Sequence, residues 1–161
     1  MVAKVYQIPE TAVTWRSTGG TELFTPTSLA TASGRQGALH DFGVAARSPR
    51  YAWRAFLKPG ATSVVGEVVR IYLKTSDGTH PDNDDGTGDI AVSAEDKLKN
   101  VLQIGSIVID ENAAVEMVAS GFVMLPHRYA GPIFWNGTAN TLSAAPADFG
   151  FDMTPVPFEV Q

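Results

Sequence analysis

The sequence predicts an all-β protein: a two-sheet β-sandwich, jelly-roll-like, with one short helix and an extended N-terminal arm. Three observations predict it. Apolar and β-branched runs of six to ten residues alternate with turn clusters from residue 37 onward. Only one segment carries helix signals. A chain of 161 residues is long enough to bury one core and too short for two ordinary domains. The expected organisation is an arm over residues 1–36 and a β-sandwich domain over 37–161.

Residues 1–36 are rich in Thr, Ser, Gly and Ala, with large apolar residues widely spaced at Val5, Tyr6, Ile8, Val13, Trp15, Leu23 and Phe24. This texture predicts an extended segment with one or two short strands. Seven runs follow: GALHDFGVAA, RYAWRAFLK, GEVVRIYLKT, VLQIGSIVID, AAVEMVASGFVML, RYAGPIFWNGT and DFGFDMTPV. In the second, Tyr51, Trp53, Ala55 and Leu57 share one face. In the third, Val69, Ile71 and Leu73 share a face opposite Val68, Arg70, Tyr72 and Lys74. Such period-two strands bury one face and leave the other to water or a partner. Pro59-Gly60 marks a turn, and Asn136-Gly137 is expected to close a hairpin after Ile133-Phe134-Trp135. The helix is expected over Ser93–Asn100, with Ser93 as N-cap, Glu95 and Asp96 in the first turn, and Lys97 and Lys99 near the end. No internal repeat is present.

Composition narrows function. Charged residues make up 18% and hydrophobic ones 44%, a low charge content that suits a surface partly covered by a partner. Seventeen acids against 12 bases give a formal charge of -5, which disfavours nucleic acid as a direct partner. The absence of cysteine excludes disulfides, thiolate nucleophiles and cysteine-based metal sites. The N-terminus lacks the apolar core of a signal peptide, and no window approaches the roughly 18 apolar residues of a membrane span. The expectation is a chain made without a cleaved signal, with no membrane partner, and assembled in the host cytoplasm.

The most distinctive stretch is SDGTHPDNDDGTGD, residues 76–89. It does not fit an EF-hand. With Gly86 at position six, Pro81 falls at position one; with Asp82 at position one, Gly86 falls at five. In either register position twelve is Val92 or Ser93, and neither is an acid. A less regular calcium site built from Asp82, Asp84, Asp85 and Asp89 stays open beside the simpler expectation of a solvated, strand-breaking surface loop.

No catalytic set emerges. His40, His80 and His127 stand far apart in the chain, and none has a metal-ligand neighbour at helical or hairpin spacing. No Gly-x-Ser-x-Gly elbow and no phosphate-cradling glycine motif occurs, and Asp41-Phe42-Gly43 lacks every other kinase element. The chain is therefore expected not to be an enzyme and to hold no cofactor unless the acidic loop takes Ca2+. Trp15, Trp53, Trp135, Tyr51, Tyr72 and Tyr129 offer possible sugar platforms, although Trp53 and Trp135 lie in apolar runs and are expected in the core.

Residues 50–161 resemble small virion proteins of tailed bacteriophages. The likeness rests on Gly66-Glu67-Val68-Val69-Arg70 through Asp84-Asp85-Gly86-Thr87-Gly88-Asp89, then Arg128-Tyr129, Phe134-Trp135-Asn136-Gly137-Thr138, Leu142-Ser143, Phe149 to Met153 and Thr154-Pro155-Val156-Pro157. It implies a capsid decoration, or cement, protein: a β-sandwich on the virion head surface, bridging capsomers and commonly trimeric. Its expected partners are the major capsid protein and copies of itself as a homotrimer. The arm residues Val5, Tyr6, Ile8, Trp15, Leu23 and Phe24 are then the expected partner contacts, ordering on the shell. A tail or baseplate component of the same virion, and a jelly-roll carbohydrate-binding module, are the alternatives.

Overall fold

The computed structural model describes residues 5–7, 9–44, 48–60, 62–111 and 114–160. Thirteen strands are described: β1 Val5–Gln7, β2 Val13–Arg16, β3 Glu22–Leu23, β4 Ser33–Gln36, β5 His40–Asp41, β6 Arg50–Leu57, β7 Val68–Ser76, β8 Ile90–Val92, β9 Leu102–Val108, β10 Met117–Met124, β11 Tyr129–Asn136, β12 Phe149–Pro155 and β13 Phe158–Val160. A first sheet runs β10-β6-β12-β2-β3, and a second runs β8-β4-β11-β7-β9 with β5 also on β11. β1 and β13 form a separate antiparallel pair. The successive long strands from β9 to β12 alternate between the sheets, so the fold is a jelly-roll-like β-sandwich, as the alternation of apolar runs predicts.

The period-two faces meet between the sheets. Trp15, Tyr51, Trp53, Leu57, Phe149 and Phe151 pack from the first sheet against Val69, Ile71, Leu73, Ile107 and Phe134 of the second. Trp53 fills the gap where the neighbouring edge strands β9 and β10 approach. A Cβ added at Gly105 would lie 2.7 Å from its indole, and one at Gly121 would lie 3.0 Å from it. Glycine is required at both positions because the ring occupies the space of a side chain.

The centre of the second sheet, at β7 and β11, is buried on both faces. Tyr72, Val92, Leu98, Val101, Ile133 and Trp135 form a second apolar cluster on its outer side. The segment after β7 folds back over β7, so the face expected to meet water is covered: Tyr72 is buried and Lys74 is fully buried. Double burial also explains why β11 reads as an almost continuous apolar run without alternation. Pro132 is tolerated inside this central strand because its partner strand is interrupted there: β4 ends at Gln36 and β5 begins at His40. No ladder donor is needed from Pro132, and its carbonyl accepts from Gly37 N at 2.8 Å.

Three local expectations are corrected. Residues 13–36 are not an extended arm: β2 pairs with β12 inside the first sheet, and β4 pairs with β11 inside the second. Burying Trp15 and Phe24 completely brings this polar stretch into the sandwich. The helix is a single 3-10 turn over Glu95–Leu98, and Ser93 does not cap it; Ala94 occupies the N-cap without a side-chain bond. Asn136-Gly137 closes no hairpin, because β11 and β12 lie in different sheets. The Asn136 side chain instead organises the crossing, accepting from Thr138 N at 3.0 Å and donating to Leu29 O at 2.9 Å.

Candidate functional site

The acidic segment 76–89 is a folded loop whose carboxylates are separately tethered. The Asp89 carboxylate accepts from Arg35 Nε at 2.8 Å, Arg35 Nη2 at 2.6 Å and Thr25 N at 3.1 Å, and also from the Thr25 hydroxyl. Burial pushes its pKa up, but these bonds outweigh burial and hold it below the ordinary carboxylate value. Asp82 accepts from Thr75 N at 2.7 Å and Thr75 Oγ1 at 2.9 Å, pinning the loop to the end of β7. Asp85 accepts from Lys97 of the 3-10 turn, and Asp84 lies 3.9 Å from the same ammonium. Asp77 turns the chain on itself, accepting from Thr79 N and His80 N, each at 2.7 Å.

The structure thus distributes Asp82, Asp84, Asp85 and Asp89 over β7, the 3-10 turn and β4. Among the described residues no group of three or more His, Asp or Glu side chains is placed to hold a metal ion. Asp82, Asp84, Asp96 and Lys97 line one open groove of about 340 Å3, in which Lys97 itself supplies the positive charge. Beneath the loop, Lys74 Nζ donates to Gly86 O at 2.6 Å and Gln36 Oε1 at 3.0 Å. Gln36 Nε2 donates to Gly88 O at 3.0 Å. Burial lowers the Lys74 pKa, while Asp85, Asp82 and Asp84 act in the opposite direction.

The remaining sequence candidates are dispersed. His40 Nδ1 lies 2.8 Å from Glu22 Oε1, joining β5 of the second sheet to β3 of the first, with Trp15 and Phe42 rings edge-on to it. Among the described residues the His80 ring pairs with Asp77 of its own turn. Of the possible sugar platforms, Trp15, Trp53, Trp135, Tyr51 and Tyr72 are all buried. Tyr129 is half-buried and carries the Arg128 guanidinium 4.9 Å from its ring centre. Of the expected partner contacts, Trp15 and Phe24 are core residues and Leu23 is half-exposed. Ile8 lies outside the described residues, and only the backbone is described at Val5 and Tyr6.

The exposed feature that sequence reasoning missed is the outer face of the first sheet. Among the described strands β10 is an edge strand paired with β6, and its even-numbered side chains point outward. Val118, Phe122 and Met124 are 45%, 58% and 60% exposed, a density of large apolar groups that ordinary surfaces disperse. Register places Val118 opposite Phe56, Ser120 opposite Arg54 and Met124 opposite Arg50. The Arg50 guanidinium lies 4.1 Å from the Phe122 ring centre, and that of Arg16 lies 4.9 Å from the Phe56 ring centre. Gly150 permits the second stack, since a Cβ there would lie 2.4 Å from the Phe56 ring and 2.6 Å from Arg16 Nη1. The signal in the sequence was ambiguous because β10 is apolar at both parities: Met117 and Val123 face inward, while Val118, Phe122 and Met124 face out.

No family model matches the chain, and no curated protein matches it in sequence. Among solved structures it is similar to murine APRIL, in a crystal structure at pH 5.0. That match has 8% sequence identity, covers 74% of each chain and has a TM-score of 0.40.

Proposed function

We propose that the chain is a non-enzymatic structural protein of a tailed-phage virion, a capsid decoration or cement protein that binds the head surface and bridges capsomers. One observation carries the contact function: the row Val118, Phe122 and Met124 stands exposed on the edge strand of a sheet whose other face packs into the core. Such a row loses its solvent-exposed area when covered, at about 25 cal/mol per Å2 before ordering costs. The low charge content of 18% and the phage-like course of residues 50–161 support the same reading. The partners are the major capsid protein and further copies of the chain.

The test is addition of purified protein to matching heads that lack it. Co-sedimentation, with a rise in the temperature at which the heads release their DNA, is the expected outcome. Heads that neither retain the protein nor gain stability would overturn the proposal.

A further inference from the structure

We infer that the ribbon of β1 and β13 adds, edge to edge, to strand β10 of a second copy of the chain. The inference rests on the part of the proposed function that gives the chain copies of itself as partners, and on nothing about a head. β1 and β13 pair over three residues each, Val5 with Val160, Tyr6 with Glu159 and Gln7 with Phe158. Among the described strands this ribbon joins neither sheet, and no other described element runs along it. A two-stranded ribbon is marginally stable in water and is completed by a further strand.

β10 is the complementary element. Of the other sheet edges, β3 and β8 are two and three residues long, and β9 carries a bulge at Ile104, between the partners of Tyr72 and Ile71. Short and bulged edges resist further pairing. β10 has neither device. Its eight residues, Met117–Met124, pair with β6 without a break, and none is charged or proline. β9 approaches it across the sandwich at Trp53 but makes no ladder with it. The side of β10 away from β6 is therefore a backbone template for strand addition, flanked on the outer face by exposed Val118, Phe122 and Met124.

The chain cannot close this edge with its own ribbon. The ribbon is rooted at β12, where Glu10 N donates to Pro155 O at 3.0 Å and Val156 N donates to Arg50 O at 3.0 Å. β6 and β10 lie between β12 and the open side, so a strand added there stands three spacings away, about 14 Å. Pro155 to Phe158 reaches about 11 Å at full extension. Glu10 to Gln7 reaches no further and starts from the β2 side of β12. A second copy has no such tether. Ribbon and edge are different surfaces, so the contact is exchanged between two copies or passed round a closed ring.

Two arms test the inference in solution, without heads, on the full chain. In the first, sedimentation across a concentration series compares the wild type with Y6P, which removes a ribbon donor, with S120E, which puts a charge on the edge, and with the control K99E on the 3-10 turn. The wild type is expected to self-associate, Y6P and S120E each to weaken association by about tenfold or more, and K99E to leave it unchanged. A wild type that stays monomeric, or association that both Y6P and S120E leave intact, overturns the inference. Either result leaves the virion role to the head-binding experiment.

The second arm uses the absence of cysteine, so that introduced thiols are the only ones. Ser120→Cys and Glu159→Cys are combined in one chain, unlabelled and isotope-labelled copies are mixed, and a short bismaleimide joins neighbouring thiols. Mixed-isotope peptides linking positions 120 and 159 support the inference. Links between 120 and 159 of uniform isotope only would place the ribbon on its own chain, and links of 120 to 120 alone would make a second β10 the occupant; each overturns it.

Discussion

Lys74 Nζ lies 3.0 Å from Gln36 Oε1, joining β7 to β4 across the intervening strand β11 beneath the acidic loop. Both side chains are fully buried, and both donate to the Gly86 carbonyl, Lys74 at 2.6 Å and Gln36 at 3.2 Å. Asp82, Asp84 and Asp85 of the segment above act on this buried ammonium, while Asp89 is held by Arg35, which helps so acidic a stretch lie against the sheet.

Lys74→Met keeps the aliphatic stem but removes the donor, leaving Gln36 Oε1 without its partner and the loop without its buried charge. A loss of about 2–4 kcal/mol is expected in chemical denaturation. Hydrogen exchange at residues 82–90 should accelerate more than in the core strands. A uniform acceleration would show that Lys74 supports the sandwich generally and not the loop.

Asp89→Asn should also loosen the loop. It removes the charge that holds Arg35 and Thr25, and a cost of about 2–3 kcal/mol follows from losing hydrogen bonds to a charged group. Because Asp82, Asp84, Asp85 and Asp89 are separately tethered, added calcium should leave the melting temperature unchanged. A concentration-dependent rise would reveal a site that these tethers do not predict.

Gly105→Ala should destabilise by about 1–3 kcal/mol through overpacking against Trp53. The added methyl would meet the indole at 2.7 Å, so pairing it with Trp53→Phe should recover part of the loss. Additive losses in the double variant would place the strain elsewhere.

Acid should destabilise the fold through Asp41. Its carboxyl, bonded by Arg128 and by Gly43 N, titrates at about 2 against an ordinary 3.8. A lowered folded-state value contributes stability above the ordinary pKa and loses it as pH falls through the folded one. The melting temperature should therefore drop as pH falls from about 4 towards 2, and the drop should be shallower in Asp41→Asn. Parallel profiles for the two proteins would assign acid sensitivity to other groups, with Asp89, also held low, the next to test.

The sequence alone determined the fold class and most long strands, because residues whose faces differ in polarity announce their period. Tyr51, Trp53, Ala55 and Leu57 are buried as their alternation requires, β9, β11 and β12 fall within the expected runs, and β7 runs one residue past its own, to Ser76. It also marked residues 76–89 as a loop. Only the tertiary structure decided which polar stretches join the core. Nothing local distinguishes Ser33–Gln36 from a flexible arm; its strand exists because β11 and β8 offer ladders on either side. Nothing local placed Lys74 inside, since its burial depends on a loop that returns over it from twelve residues later. The exposed apolar and aromatic outer face likewise assembles residues 16, 50, 54, 56, 118, 122 and 124 from three strands. Strand register puts them side by side, and register is a property of pairing that no single run encodes.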